Sequence, residues 1–222
     1  MATLITTAAD ITTITIGLLI QNCQIDSLRI EKTGARAGIG IDVLGNDAIM
    51  TNCFMRGKAL GVRVNNAYSC QVVGTNITNC VDAVQIIAVA GIELNTTVIR
   101  CSLYGNDNNG IVLENTQLNI ITSNQIFSNG MNGIVCNELC DYNNISNNIM
   151  WDNTNDGIKL TATSDRNSIV GNTCFDNGGI GINIAAASCD KNVVVANVLH
   201  SNTGGEFTDN GTSTEVGHNV TT

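Results

Sequence analysis

The sequence predicts an all-β solenoid of about eight to nine stacked coils, and three observations point there. A glycine followed by two apolar residues flanking a variable one recurs about every two dozen residues, as Gly40-Ile41-Asp42-Val43, Gly61-Val62-Arg63-Val64, Gly110-Ile111-Val112-Leu113, Gly133-Ile134-Val135-Cys136, Gly157-Ile158-Lys159-Leu160 and Gly181-Ile182-Asn183-Ile184. Ala83-Val84-Gln85-Ile86 fills the gap in the series. Within each repeat the apolar residues alternate with a period of two, which is strand rather than helix spacing. The strands are short and separated by Asn, Asp, Gly and Ser, and each repeat can bury its apolar side only by stacking on the next.

Composition agrees with one packed domain. The 222 residues are 43% hydrophobic and 13% charged, and contain 22 Gly and no Pro, so apolar blocks are not diluted by charge as they are in disordered chains. Nineteen acids against ten Lys and Arg give a net charge of -9, which argues against a nucleic-acid partner. No apolar run reaches membrane-spanning length, and Met1-Ala-Thr-Leu-Ile-Thr-Thr has no basic leader. Of the nine Cys (Cys23, Cys53, Cys70, Cys80, Cys101, Cys136, Cys140, Cys174 and Cys189), several fall where other coils carry Leu, Ile or Met. They read as reduced core residues of a chain made in the cytoplasm.

The first segment, 1–37, is expected to form irregular coils. Residues 1–16 begin almost directly in strand-like sequence with Asp10 as their one charged side chain. The expectation is that they pack against another copy, most simply in a three-fold homo-oligomer, or against an upstream segment. Lys32-Thr-Gly-Ala-Arg-Ala-Gly38 reads as a loop. Repeats then run over 38–204. The spacing of 27 between Ala83 and Gly110 places a small protrusion in residues 87–97. Residues 205–222 form the closing coil, and the whole of 1–222 is one domain.

A second landmark follows each glycine unit: Asn119-x-Ile121-x-x-Asn124-x-Ile126-x-x-Asn129, then the same pattern from Asn143, Asn167 and Asn192. Stacked in register at roughly 4.8 Å, Asn124, Asn148, Asn172 and Asn197 form a ladder at a corner, preceded by Asn52 and Asn76. Asn tolerates the left-handed backbone of a sharp corner, and its amide can bond the turn and the next Asn. The sequons at Asn76 and Asn144 would then lie in or beside buried corners.

This repeat resembles the right-handed parallel β-helix of the pectate-lyase-like superfamily, which includes NosD-type proteins, carbohydrate epimerases and phage tail-spikes. Residues 100–204 match its pattern closely, 38–99 loosely, and Phe207-Thr208-Asp209-Asn210-Gly211-Thr212 is similar to its closing coil. The resemblance implies the fold, but the signatures of its enzymes do not carry over. Pectate-lyase Asp clusters with an Arg or Lys base are not recognisable, the Gly-His-Gly element of polygalacturonases is replaced by Leu199-His200-Ser201 and Gly217-His218-Asn219, and Asp-Pro-His is impossible without proline.

Three constellations remain. Asp141, Asp165 and Asp190 share one repeat position beside Tyr142, Arg166 and Lys191. Their repulsion would be relieved by protonation, by the adjacent bases or by bound Ca²⁺, or each accepts backbone hydrogen bonds in a turn. Asp152 and Asp176, in adjacent coils, would be roughly 5 Å apart, the separation of a retaining glycosidase pair. Solvated corner residues are the competing reading. Tyr104, Phe127, Trp151 and Phe175, continued by His200, form an aromatic column that is either an exposed glycan-binding face or a core stack, and the core stack is the expectation. A metal at Cys136 and Cys140 lacks a nearby His.

Together these features favour a rigid structural or attachment module of a virion or tail-like surface assembly, secreted or on the virion surface. It would contact glycans and use no cofactor other than the Ca²⁺ considered above. The alternatives are a polysaccharide hydrolase or lyase using Asp152 and Asp176, and a non-catalytic carbohydrate-binding module.

Overall fold

A computed structural model describes residues 3–7, 14–17, 21–32 and 34–222. They form a right-handed parallel β-helix, with no helical segment among the described residues. Three parallel sheets of ten, nine and nine strands run its length. The chain visits the first sheet, then the second, then the third, and repeats. One full coil is Gln125–Phe127, Ile134–Cys136 and Asn144–Ser146. The next, in register with it, is Ile149–Trp151, Ile158–Leu160 and Ser168–Val170.

Short strands leave one interior residue each in the first and third sheets. Ile126 points inward between exposed Gln125 and half-buried Phe127, and the same pattern recurs in the following coils. Inward residues of all three sheets make one continuous core, in which Leu103, Ile126, Met150, Cys174 and Leu199 are fully buried. Cys136 and Cys174 face that core as the sequence predicts.

The glycine landmarks have a purpose unrelated to backbone freedom, since none of them has positive φ. A Cβ on Gly133 would lie 2.6 Å from the Gly157 carbonyl oxygen of the next coil and 2.8 Å from Met150 Cγ. Glycine is required there by the close approach of one coil to the next.

Three asparagine ladders line the corners. Asn124, Asn148, Asn172 and Asn197 form the expected one, continued by Asn219. A second joins Asn119, Asn143, Asn167 and Asn192, and a third joins Asn106, Asn129, Asn153, Asn177 and Asn202. Two details correct the sequence reading. The left-handed residue is the one before the ladder Asn, as at Ser123, Asn147 and Ala196 (φ 57°, 55° and 56°), because the Asn itself must turn inward to reach the next coil. Asn52 and Asn76 are exposed and lie outside the ladder, whose earlier rungs are Cys101, whose backbone N–H donates to Asn124 Oδ1, and Thr75, whose Oγ1 accepts from the Cys53 N–H. The sequon residues Asn76 and Asn144 lie beside buried corners, each following a buried ladder residue (Thr75 or Asn143) and opening its strand on the outer face.

The irregular regions fall where expected. The second-sheet strand Asp82–Glu93 changes register between Ile87 and Ile92, and Val89 projects at 63% exposure. Residues 34–38 form a loop. The early segment is already coiled: Thr3–Thr7 pairs with Leu28–Lys32, and Ile14–Ile16 with Ile41–Val43. Residues 1, 2 and 8–13 of the segment expected to meet another copy lie outside the described residues. Gly205–Asp209 and the two strands after it, Glu215–Gly217 and Val220–Thr221, add one strand to each sheet as the closing coil.

Candidate functional site

The aromatic column lies on the outer face of the first sheet, not in the core. Tyr104, Phe127, Trp151, Phe175 and His200 are each half-buried and each follows a fully buried residue. Strict alternation prevails because the next residue (Gly105, Ser128, Asp152 or Asp176) already takes the left-handed corner conformation. The chain turns inward only at the Asn after it. In-register pairing then stacks the rings: centroids are 4.9, 4.2, 5.9 and 5.1 Å apart from Tyr104 to His200, with planes within 12° of parallel. The face of each inner ring is covered by its neighbours, so the column shows solvent mostly ring edges.

Below Tyr104 the column stops. The same register position is held by Thr78 and then Arg56, and a cleft of about 470 Å³ opens there, lined by Phe54, Arg56, Thr78, Asn79, Tyr104 and Gly105. A second cleft of about 320 Å³, lined by Glu31, Lys32, Gly34, Arg56 and Asn79, adjoins it. Arg29 stacks on Phe54 at 4.0 Å and pairs with Glu31, while Arg36 pairs with Asp107 and donates to Asn79 Oδ1. Sequence reasoning missed this region. Its signal was the continuation of the Leu103-Tyr104 alignment backward to Ile77-Thr78 and Met55-Arg56.

Asp152 and Asp176 stand in consecutive coils as exposed left-handed corner residues with φ of 55° and 54°. Ser128 Oγ donates to Asp152 Oδ2 at 2.9 Å. The nearer of them is two coils beyond Tyr104 and neither lines either cleft.

The Asp141, Asp165 and Asp190 column is held by backbone. Asp141 Oδ1 accepts the Asp165 N–H at 2.8 Å, and Asp165 Oδ1 accepts the Asp190 N–H at 2.7 Å. Asp190 Oδ1 accepts from Thr212 Oγ1. Each carboxylate therefore spans to the adjacent coil rather than closing its own turn. Burial pushes the Asp141 carboxyl up, whereas the Lys191 ammonium holds that of Asp190 below the usual range. Arg166 lies beside Asp165 at 3.9 Å and over the Tyr142 ring at 5.6 Å.

Among the described residues no three His, Cys, Asp or Glu side chains converge in a metal-holding group. Cys136, Cys140 and Cys189 are fully buried. The two histidines are far from them along the repeat: His200 ends the ring column, and His218 is a corner residue of the last coil.

Comparison with known proteins places the chain. Among solved structures, it is similar to a mutant of the periplasmic alginate epimerase AlgG (TM-score 0.68, 17% identity, covering 88% of this chain and 51% of that one). It also resembles the enzymatically active domain of tailspike protein 2 of bacteriophage CBA120 (0.70, 15%, 85% and 32%). A pectate lyase gives 0.58 at 16% identity, covering 91% and 57%. At these identities the likeness is one of fold, and the chain spans about half the length of the epimerase and a third of the tailspike domain. No curated protein matches the sequence. The family profile described as "Periplasmic copper-binding protein (NosD)" matches residues 43–220. Among the described residues the copper of that description finds no donor set, because no three His, Cys, Asp or Glu side chains converge. With most of its length inside the profile, the chain belongs to the NosD family of parallel β-helix proteins.

Proposed function

We propose that this chain is a rigid β-helix module of a surface assembly, virion-borne or secreted, that contacts polysaccharide through the outer face of its first sheet without cleaving it. The observation that carries this reading is the outward aromatic column running into a cleft bordered by Phe54, Arg56 and Tyr104. A ring face and a guanidinium bordering a cleft offer a sugar both apolar contact and hydrogen bonds. That alginate epimerase, pectate lyase and tailspike proteins share the fold lends support but no residues. Asp152 and Asp176 are left outside the reading, since they sit on open corners away from the clefts.

Retention on a panel of immobilised neutral and acidic polysaccharides tests the proposal. Retention of at least one, without release of reducing or unsaturated ends, is expected; failure to bind any member of the panel would sink it. A homo-oligomer, most simply three-fold, belongs to the same proposal, with Thr3–Thr7 the edge strand of the first sheet among the described residues. Light scattering that gives a three-fold mass would support this, and a monomer mass would remove it.

A further inference from the structure

The geometry points to a specific sugar site: the gap in the ring ladder at Thr78 takes one carboxylate-bearing pyranose, inserted between Tyr104 and Arg56 as a missing rung. The inference rests on the polysaccharide-contacting reading and adds a location and a ligand class to it.

The ladder leaves ring faces free only at its two ends, and the Tyr104 end opens into a cleft. Phe127, Trp151 and Phe175 have both faces occupied by neighbouring rings, so a sugar laid along the column would meet ring edges rather than the π faces that bind C–H groups. At the Tyr104 end one face is open. The register partner there is Thr78, with no ring, and the next is Arg56. Tyr104 and Arg56 are therefore two rungs apart, roughly 9.6 Å along the axis at the usual strand spacing. A flat ring in van der Waals contact on both sides needs about 7–8 Å, which leaves room for the pucker of a pyranose. Thr78 forms the back of the slot, and Phe54, Asn79 and Gly105 its sides.

Arg56 selects the charge. Among the described residues Arg36 is paired with Asp107, and Glu31, the register partner of Arg56 on the far side of the slot, is taken up by Arg29, so Arg56 is exposed and in no ion pair of its own. A guanidinium at the mouth of a slot matches a ring carboxylate in bidentate fashion. This chain's net charge of -9 repels an acidic polymer from most of the surface, so binding concentrates at this site.

The test uses the full chain and two probes, trigalacturonate and a neutral galactose trisaccharide, by calorimetry at low salt. Trigalacturonate is expected to bind at least ~10-fold more tightly than the neutral probe, and Arg56→Gln to weaken it by about 10-fold or more. Thr78→Tyr, which fills the slot with another ring at an outward-facing strand position, is expected to abolish binding; Val89→Ala, at the exposed protrusion of the second sheet, is expected to leave it unchanged. Trigalacturonate binding that survives Thr78→Tyr would overturn the slot while leaving polysaccharide contact intact, and equal affinity for both probes would overturn the acidic ligand. Binding of neither probe to a protein that still holds a polysaccharide on the panel would also reject this site; loss of all polysaccharide binding would reject both proposals.

Discussion

Asn148 Oδ1 accepts two hydrogen bonds from Asn124, one from its backbone N–H at 3.0 Å and one from its side-chain amide at 2.9 Å. Asn148 Nδ2 in turn donates to the Ile121 carbonyl at 2.8 Å and to Asn172 Oδ1 at 3.0 Å. One fully buried amide thus serves three coils. Asn148→Ala strands both Asn124 donors and two acceptors, and should cost roughly 3 kcal/mol or more given the penalty for each buried unpaired group. Asn219→Ala, at the half-exposed last rung, should cost clearly less. Thermal melts of the two variants check the ordering; equal losses would mean that the ladder is not cooperative.

Gly133→Ala forces a Cβ against the Gly157 carbonyl and Met150. It should destabilise by about 1–3 kcal/mol through overpacking, visible as a lower denaturation midpoint. Ala83→Gly, at the equivalent position of an early coil, should lose about 1–2 kcal/mol, from backbone entropy and the buried methyl, without any clash between coils. A Gly133→Ala protein as stable as the parent would show that neighbouring coils can move apart freely.

Asp141 gives the molecule a pH dependence of known sign. Burial raises its carboxyl pKa in the folded chain, so the folded state holds that proton more tightly than the unfolded one. Stability from this group is complete below the ordinary aspartate range and is lost as pH rises through the raised value. Asp141→Asn keeps an oxygen for the Asp165 N–H and cannot ionise. It should therefore melt higher than the parent at neutral pH, with the difference vanishing in acid. A difference that does not change with pH would refute the assignment.

Eight of the nine thiols are buried, and Cys23 is half-buried. Burial pushes Cys80 and Cys101 up to about 11, which leaves roughly one part in a thousand as thiolate at pH 8. A thiol reagent should label Cys23 first and the others only on unfolding, as mass spectrometry of the labelled peptides would show. Rapid native labelling of Cys136 or Cys174 would contradict the packing.

The periodicity made the architecture legible, because each coil repeats the same solution to burying an apolar side. Asn124 to Asn197 and the buried Cys136 and Cys174 followed directly from position within the repeat. Ring orientation was harder: a column of Tyr104, Phe127, Trp151 and Phe175 satisfies either side of a sheet, and only the left-handed residue after each ring decides that it points out. The same corner geometry displaced Asn52 and Asn76 from the ladder. The cleft at Arg56 and Thr78 was invisible because it is made by a ring that is missing, and a motif search looks for what is present.

The ring stack also supplies an internal optical gauge. Trp151 is the single tryptophan of the chain and lies between Phe127 and Phe175, which belong to the coils on either side of it. Its indole is packed against two turns of the spiral at once, so any slip, fraying or separation of those turns alters its surroundings directly. Emission from this one residue reports the pitch of the spiral at its middle, with no label added.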